Sequence, residues 1–202
     1  MIKNIVFDFG NVLVHYDPKK MALACTDDAD DAELLGKVVF DRLYWDELDM
    51  GTMQEHEAIE PVCKRLPERL HKSAEKLLLN WIYMLPEFDG ISELVLKLKN
   101  EYNMPLYLLS NISTYFADHA DEIPILKHFD KCIFSGNHKC VKPDEKIFDI
   151  LCRRCDIKPE ESIFIDDSEK NLAGARAFGL NTYLFDGDVK KLENELLKII
   201  EK

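Results

Sequence analysis

Four short, almost wholly apolar runs constrain the fold of this chain more than any other feature. They are I-V-F at 5–7, P-L-Y-L-L at 105–109, C-I-F at 132–134 and S-I-F-I at 162–165, with T-Y-L-F at 182–185 as a fifth candidate. Such runs are typical of strands covered on both faces of a parallel sheet. Helical periodicities lie between them, as in Ile91, Leu94, Val95 and Leu98. The alternation predicts an α/β fold with a doubly wound parallel sheet.

One interval breaks this alternation. The residues from about His15 to Leu85 contain no convincing strand, but they do contain amphipathic patterns. The clearest pattern consists of Leu70, Ala74, Leu77, Leu78 and Trp81. We therefore predict a core of residues 1–14 and 86–202, interrupted by an all-helical insertion of residues 15–85. The acidic run at 27–31 is interpreted as a solvated helix start.

Composition excludes several classes of partner. The net charge of −12 and the pI near 5.0 disfavour nucleic acid and anionic membranes, because both require a basic surface. No apolar run approaches the ~18 residues of a membrane span, and Met1 is followed by no signal-like segment. We expect a cytoplasmic protein that binds neither nucleic acid nor membrane, while its oligomeric state stays open.

Six cysteines are consistent with reduced thiols in such a compartment. Cys152 and Cys155 alone have C-x-x-C spacing, and a structural zinc site usually needs a second pair or spaced histidines. His138 and Cys140 are conceivable partners. The pattern favours buried thiols over a zinc site.

Polar side chains cluster where the predicted strands end. In an open parallel sheet the carboxyl ends of the strands line the ligand crevice. The polar residues at these ends are Asp8, Ser110, Asn111, Lys142, Asp166 and Asp167. Each has an ordinary structural reading as a loop acid, helix cap or surface charge. Together they predict a site for phosphoryl transfer.

The chemistry of these groups is mutually consistent. Closely placed carboxylates repel unless a cation neutralises them, and oxygen ligands favour Mg²⁺. Asp8 is then a ligand alone or also a nucleophile, since aspartate can accept a phosphoryl group. Lys142 and Ser110 would stabilise charge on the transferring oxygens. Pro143 is expected in the first turn of a helix, holding Lys142 extended before it.

Four segments resemble the motifs of the haloacid dehalogenase-like hydrolases, in the right order. They are F-D-F-G-N-V-L, L-L-S-N, V-K-P-D and F-I-D-D-S-E-K-N, and the resemblance spans about residues 2–185. It implies a Rossmann-like core, with the insertion after the first strand as the helical cap of that family. The first motif is most similar to a branch of phosphatases that act on α-D-glucose 1-phosphate and similar sugar phosphates.

The resemblance also implies roles for individual residues. Asp8 would be the nucleophile and a Mg²⁺ ligand, and the Gly10 carbonyl would be a second ligand. Asp167 would be an acidic metal ligand, with Asp166 a ligand or a supporting acid. The remaining implied roles are phosphoryl binding by Ser110 and Asn111, bridging of nucleophile and phosphate by Lys142, and support of the loop by Asn171. The expected substrate is a small phosphorylated metabolite.

Gly10 departs from the commonest pattern of that family, in which a second aspartate at this position moves protons. Glycine fits a tight turn but cannot carry a proton. Either the anomeric oxygen of a sugar 1-phosphate is a good enough leaving group, or water or a residue of the cap supplies the proton, with Asp46, Glu47 and His15 as candidates. The alternatives are a 2-haloacid dehalogenase, for which the acidic pair has no explanation, and a silent phosphate-binding or partner-binding relative.

The cap also contains two aromatic residues that are candidates for sorting substrates. Tyr44 and Trp45 lie beside acids in L-Y-W-D-E-L-D-M-G at 43–51. Aromatic residues in a cap often face the active site, although in a helical bundle they more often belong to the core. A cap of this size would close over a small phosphate ester and exclude a large substrate.

Overall fold

A parallel sheet of five strands forms the centre of the computed structural model, which describes residues 1–200. The strands are β1 (Asn4–Phe7), β2 (Leu106–Ser110), β3 (Lys131–Phe134), β4 (Ser162–Asp166) and β5 (Asn181–Leu184). Their order is β3-β2-β1-β4-β5, so β1 occupies the middle. The predicted parallel α/β sheet is confirmed, including the fifth strand. Individual strand ends differ from the prediction by one residue.

Helices are the only regular secondary structure in the described segment between residues 15 and 85. They are α1 (Pro18–Leu23), α2 (Ala29–Val39), α3 (Arg42–Asp49), α4 (Glu55–Cys63) and α5 (His71–Asn80), with 3₁₀ turns at Glu68–Leu70 and Trp81–Tyr83. The acidic run does start a helix. Asp28 caps α2, and its carboxylate accepts hydrogen bonds of 2.9 Å from the main-chain N–H groups of Asp30 and Asp31.

The later helices cover both faces of the sheet. They are α6 (Ile91–Asn100), α7 (Thr114–Asp118), α8 (Glu145–Cys155), α9 (Glu169–Phe178) and α10 (Val189–Ile200), with 3₁₀ turns at Ala120–Glu122, Pro124–His128, Ser135–Asn137 and Pro159–Glu161. Helices α6 and α10 pack on one face, and α8 and α9 pack on the other. This double cover explains why the central strands contain apolar residues at successive positions.

The helical segment and the sheet share one apolar cluster. The Trp81 ring stacks on Phe116 with centroids 5.8 Å apart, and Phe116 lies 4.8 Å from the ring of Phe9. The proposed division into a core of 1–14 and 86–202 and a cap of 15–85 therefore stays a prediction. Residues 201 and 202, the last two of the predicted core, lie outside the described residues. Across residues 1–200, no helix combines the length and apolar character that crossing a bilayer requires.

Candidate active site

Two buried carboxylates flank a buried ammonium where β1 and β4 end. Lys142 Nζ lies 2.8 Å from Asp8 Oδ1 and 2.8 Å from Asp166 Oδ2, and it donates to Leu109 O at 3.1 Å. The exposed fractions of Asp8, Lys142 and Asp166 are 7%, 3% and 0%. Burying charges is unfavourable unless they are paired and hydrogen-bonded. This arrangement meets both conditions for Lys142 and fixes the orientation of the Asp8 carboxylate.

The protonation equilibria of this cluster are shifted by burial and by its own charges. Burial raises the pKa of Asp8 to about 7, with Lys142 opposing that shift and Asp166 adding to it. Burial alone would lower the pKa of Lys142, but Asp8 and Asp166 outweigh burial and raise it. Lys142 is therefore a fixed positive charge.

Asn111 holds the loop that carries Lys142. Its side-chain oxygen accepts from the main-chain N–H of Lys142 at 2.8 Å, and its amide donates to the Lys142 carbonyl at 3.1 Å. The sequence prediction for Pro143 is wrong, because Asp144 is the N-cap of α8 and Pro143 precedes the helix in a cis peptide bond with Lys142. Asp144 caps the helix because its carboxylate accepts a hydrogen bond of 2.9 Å from the main-chain N–H of Lys146.

Gly174 of α9 lets that loop approach the helix. A Cβ atom at Gly174 would lie 2.6 Å from the Pro143 carbonyl oxygen, closer than packed atoms allow. Alanine in a helix interior is ordinarily better than glycine by about 0.5–1 kcal/mol, whereas overpacking costs about 1–3 kcal/mol. Gly174→Ala is therefore expected to lower Tm and to impair the activity of this site, because Pro143 and Lys142 must move. The control is Ala173→Ser at a neighbouring exposed position, and an unchanged Tm in Gly174→Ala would contradict the expectation.

The two consecutive acids at the carboxyl end of β4, Asp166 and Asp167, have different surroundings. Asp166 accepts from Lys142, from Ser168 N at 2.8 Å, and from Asn171 Nδ2 at 3.1 and 3.2 Å, so both of its oxygens are engaged. Asp167 instead lines a cavity, and burial together with Asp166 raises its pKa. Asn171 thus supports the loop through Asp166, in agreement with its implied role.

The carboxylates fit a divalent cation. Asp8, Asp166 and Asp167 each offer an oxygen within 4.8 Å of the others, and in the described part of the chain they form the only such group of three. Three carboxylates and one ammonium leave a net charge of −2 when all are ionised. Oxygen ligands with this charge match Mg²⁺, and the more exposed Asp167 is better placed than Asp166 to bind it directly.

The backbone geometry at position 10 does not require a glycine. The left-handed residue of the turn is Asn11, with φ of 56°, whereas a Cβ atom at Gly10 would make only an ordinary contact of 3.8 Å with Tyr16. Glycine fits this turn, as expected, but the backbone does not require it. A side chain would fit at this position, but the chain has none there to donate a proton.

A cavity of about 350 Å³ opens over the cluster. It brings together predicted site residues, namely Asp8, Gly10, Ser110, Asn111, Lys142, Asp167 and Asn171. Sequence reasoning did not place six of its other residues, namely Asn11, Tyr16, Arg42, Asp49, Ser168 and Lys170. Of the two cap aromatics, Trp45 lines the cavity, whereas Tyr44 is buried in the helical segment and its hydroxyl donates to Pro61 O at 3.4 Å.

None of the three candidate proton donors lines this cavity. Asp46 is exposed and pairs with Arg42 at 2.9 Å, and Glu47 is exposed on the same helix. The His15 ring stacks on Phe88 with centroids 3.7 Å apart. The helical spacing i, i+3, i+7 places Arg42, Trp45 and Asp49 on one face of α3, but it does not indicate that this face meets the cavity.

Cys140 and Cys155 are buried thiols, whereas the other four cysteines are only partly buried. Burial raises the pKa of Cys152 and of Cys155 to about 11, so both stay protonated at neutral pH. Among residues 1–200, neither cysteine belongs to a group of three or more possible metal ligands.

A family model of the haloacid dehalogenase-like hydrolases matches residues 2–179 of this sequence. The chain belongs to the haloacid dehalogenase-like hydrolases. This assignment agrees with the four motifs and with the parallel sheet. The hydrolase places the motif residues at the carboxyl ends of β1, β2 and β4 and in the loop after β3.

Several relatives match this hydrolase over almost its full length. It is 27% identical to a D-ribitol-5-phosphate phosphatase of Bacteroides thetaiotaomicron, with 91% of each chain covered. The structure of a HAD-like family hydrolase from Porphyromonas gingivalis is 27% identical with a TM-score of 0.72, covering 100% of this chain and 99% of that one. A HAD family enzyme from B. thetaiotaomicron in complex with magnesium and inorganic phosphate has a TM-score of 0.72 at 23% identity, covering 95% and 99%. At 23% identity, the likeness to the complex with magnesium and phosphate concerns the fold alone.

Proposed function

We propose that this hydrolase is a Mg²⁺-dependent phosphatase that transfers the phosphoryl group of a small phosphomonoester to Asp8. The observation that carries the proposal is the buried pairing of Asp8 with Lys142, beside two further carboxylates and beneath a small cavity. Phosphoryl transfer is catalysed mainly by positioning and by electrostatic stabilisation, and this site offers both.

Each residue has a role in this proposal. Asp8 attacks phosphorus, and water then hydrolyses the aspartyl-phosphate. Lys142 holds Asp8 in place and stabilises the phosphoryl oxygens, with Ser110 as a hydroxyl donor at the cavity floor. Asn111 positions Lys142 through its main chain, and its implied phosphoryl binding stays a prediction. Asp8, Asp167 and the Gly10 carbonyl would hold Mg²⁺, which neutralises the charge of the phosphate, with Asp166 as supporting acid.

The cavity and the relatives favour sugar or polyol phosphates as substrates. A volume of about 350 Å³ suits a small metabolite, and the helical segment, which we propose as the cap, contributes Trp45 and Arg42 to its wall. A relative matched over 91% of its length is a D-ribitol-5-phosphate phosphatase. The acidic group would have no purpose in a dehalogenase, where halide leaves without a metal.

The test is phosphate release from sugar phosphates, polyol phosphates, nucleotides and an aryl phosphate, each assayed with Mg²⁺ and with EDTA. We expect release from several small sugar or polyol phosphates that falls at least about 100-fold in EDTA, because uncompensated carboxylates would repel the substrate. Restoring Mg²⁺ to the EDTA sample is the control.

Two results would contradict the proposal. Metal-independent release of halide from a 2-haloacid would indicate a dehalogenase. Binding of Mg²⁺ and inorganic phosphate without turnover of any ester would indicate a silent binding protein.

A further inference from the structure

One carboxylate of the cavity has no part in the proposed function. Asp49, the last residue of α3, lines the cavity. Its side chain is half-buried, and within residues 1–200 its carboxylate has neither a hydrogen bond nor an ion pair. An acid that reaches a phosphate pocket without a partner is available to the substrate.

The main chain of Asp49 is fixed to the sheet, although α3 belongs to the helical segment. The buried Ser135 hydroxyl donates to Asp49 O at 2.6 Å and accepts from Ile112 N at 2.8 Å. Two residues beyond Asp49, a Cβ atom at Gly51 would lie only 2.1 Å from the Gly136 carbonyl oxygen. Asp49 is therefore held against the same loops that carry the predicted phosphate-binding residues.

The groups around Asp49 keep its proton available. They are Asp46 and Arg42 on its own helix, Tyr16 from the loop after β1, and Asp8 and Lys142 at the cavity floor. Burial, together with Asp46 and Asp8, raises the pKa of Asp49 well above its usual range, against the opposing effect of Lys142 and Arg42. A carboxylic acid with a raised pKa holds its proton more strongly than an ordinary aspartic acid and can act as a general acid.

We propose that Asp49 donates the proton to the leaving-group oxygen, the task for which Gly10 has no side chain. This role rests on the proposed phosphatase function. As the Asp8 carboxylate forms its bond to phosphorus, the bond from phosphorus to the leaving oxygen breaks. That oxygen keeps the electron pair and takes the Asp49 proton, which releases the alcohol. Asp49, now ionised, accepts a proton from the water that attacks the aspartyl-phosphate and is thereby restored.

Tyr16 is the competing protic group on this wall of the cavity. Burial and the nearby Asp49 raise its pKa well above 10, so its hydroxyl is a much weaker acid than a carboxyl group. Arg42 and Lys170 are cations, suited to an anionic substrate. The geometry and acidity thus favour Asp49.

The experiment measures kcat/KM for esters whose leaving groups differ in acidity, in wild type and in Asp49→Asn. kcat/KM reports the steps up to alcohol release. An alkyl ester such as D-ribitol 5-phosphate needs its leaving oxygen protonated, whereas 4-nitrophenyl phosphate does not. We expect Asp49→Asn to lose about 10²–10⁴-fold on the alkyl ester and less than about tenfold on the aryl ester.

Controls separate this role from a structural one. Glu47→Gln changes an exposed acid of the same helix and is expected to keep the wild-type ratio of alkyl to aryl activity. Circular dichroism and Tm check that Asp49→Asn folds. Equal losses on both esters, or no loss, would overturn the role of Asp49, as would a selective alkyl loss in Tyr16→Phe instead. Failure of wild type to hydrolyse any ester would overturn the phosphatase function, and the role of Asp49 with it.

Discussion

Asp8→Asn is expected to abolish phosphate release, by more than about 10³-fold, on the order seen when a catalytic nucleophile is removed. An amide cannot form the aspartyl-phosphate and is a weaker metal ligand. The measurement is steady-state phosphate release, combined with acid quenching to detect covalent phosphate on the protein. Wild type should become labelled and the variant should not.

The fold of this variant is expected to persist. Lys142 keeps Asp166 as its partner at 2.8 Å. Because burial raises the pKa of Asp8 to about 7, its ionised form at pH 8 is unfavourable in the metal-free protein, and a neutral amide should hold or raise Tm. Asp121→Asn, at an exposed acid, is the matched control. Turnover by Asp8→Asn within tenfold of wild type would refute the nucleophile assignment.

Lys142→Met should impair both activity and stability. The methionine side chain has a similar length but leaves Asp8 and Asp166 buried without their shared cation. Removing one partner of a buried ion pair costs about 3–5 kcal/mol, and removing a key electrostatic group slows catalysis about 10²–10³-fold. Phosphate release and urea unfolding measure the two effects. Lys146→Met, at an exposed lysine in α8, is the control.

The stability defect should depend on pH in a defined direction. Lys142 opposes the raised pKa of Asp8, so without Lys142 the folded-state pKa of Asp8 rises further above the unfolded value near 4. A raised acid pKa contributes stability that is present below the unfolded pKa and lost as pH rises through the folded pKa. The Tm difference from wild type should therefore be large at pH 8 and shrink toward pH 5. A variant with wild-type Tm at pH 8 would show that the pairing is not needed for the fold.

Much of this architecture follows from local sequence patterns. The apolar runs predicted all five strands, of which β1, β2 and β4 are buried throughout and the edge strands β3 and β5 are partly exposed. The amphipathic spacing of Ile91, Leu94, Val95 and Leu98 likewise corresponds to the buried face of α6. Once the sheet is parallel, its strand ends meet at one edge, which brings Asp8, Ser110 and the acids after β4 together.

Other features depend on contacts between distant segments. Asp46, Glu47 and Asp49 are similar acids within four positions, and local pattern alone did not separate them. Asp49 faces the cavity because the Ser135 hydroxyl, 86 residues away in sequence, binds its carbonyl and because Gly51 packs on Gly136. Two further features depend on such distant contacts. Asn111 hydrogen-bonds the main chain of Lys142, and Gly174 packs against Pro143.

The sequence by itself thus determined the strands, because the apolar runs depend only on neighbouring residues. It also determined which polar groups meet at the edge of the sheet, because parallel strands share one direction and the motifs follow their ends. The tertiary structure alone decided which side of α3 meets the cavity and which residues hold the lysine loop. Those choices are set by packing and hydrogen bonds between segments far apart in the chain, which no local pattern encodes.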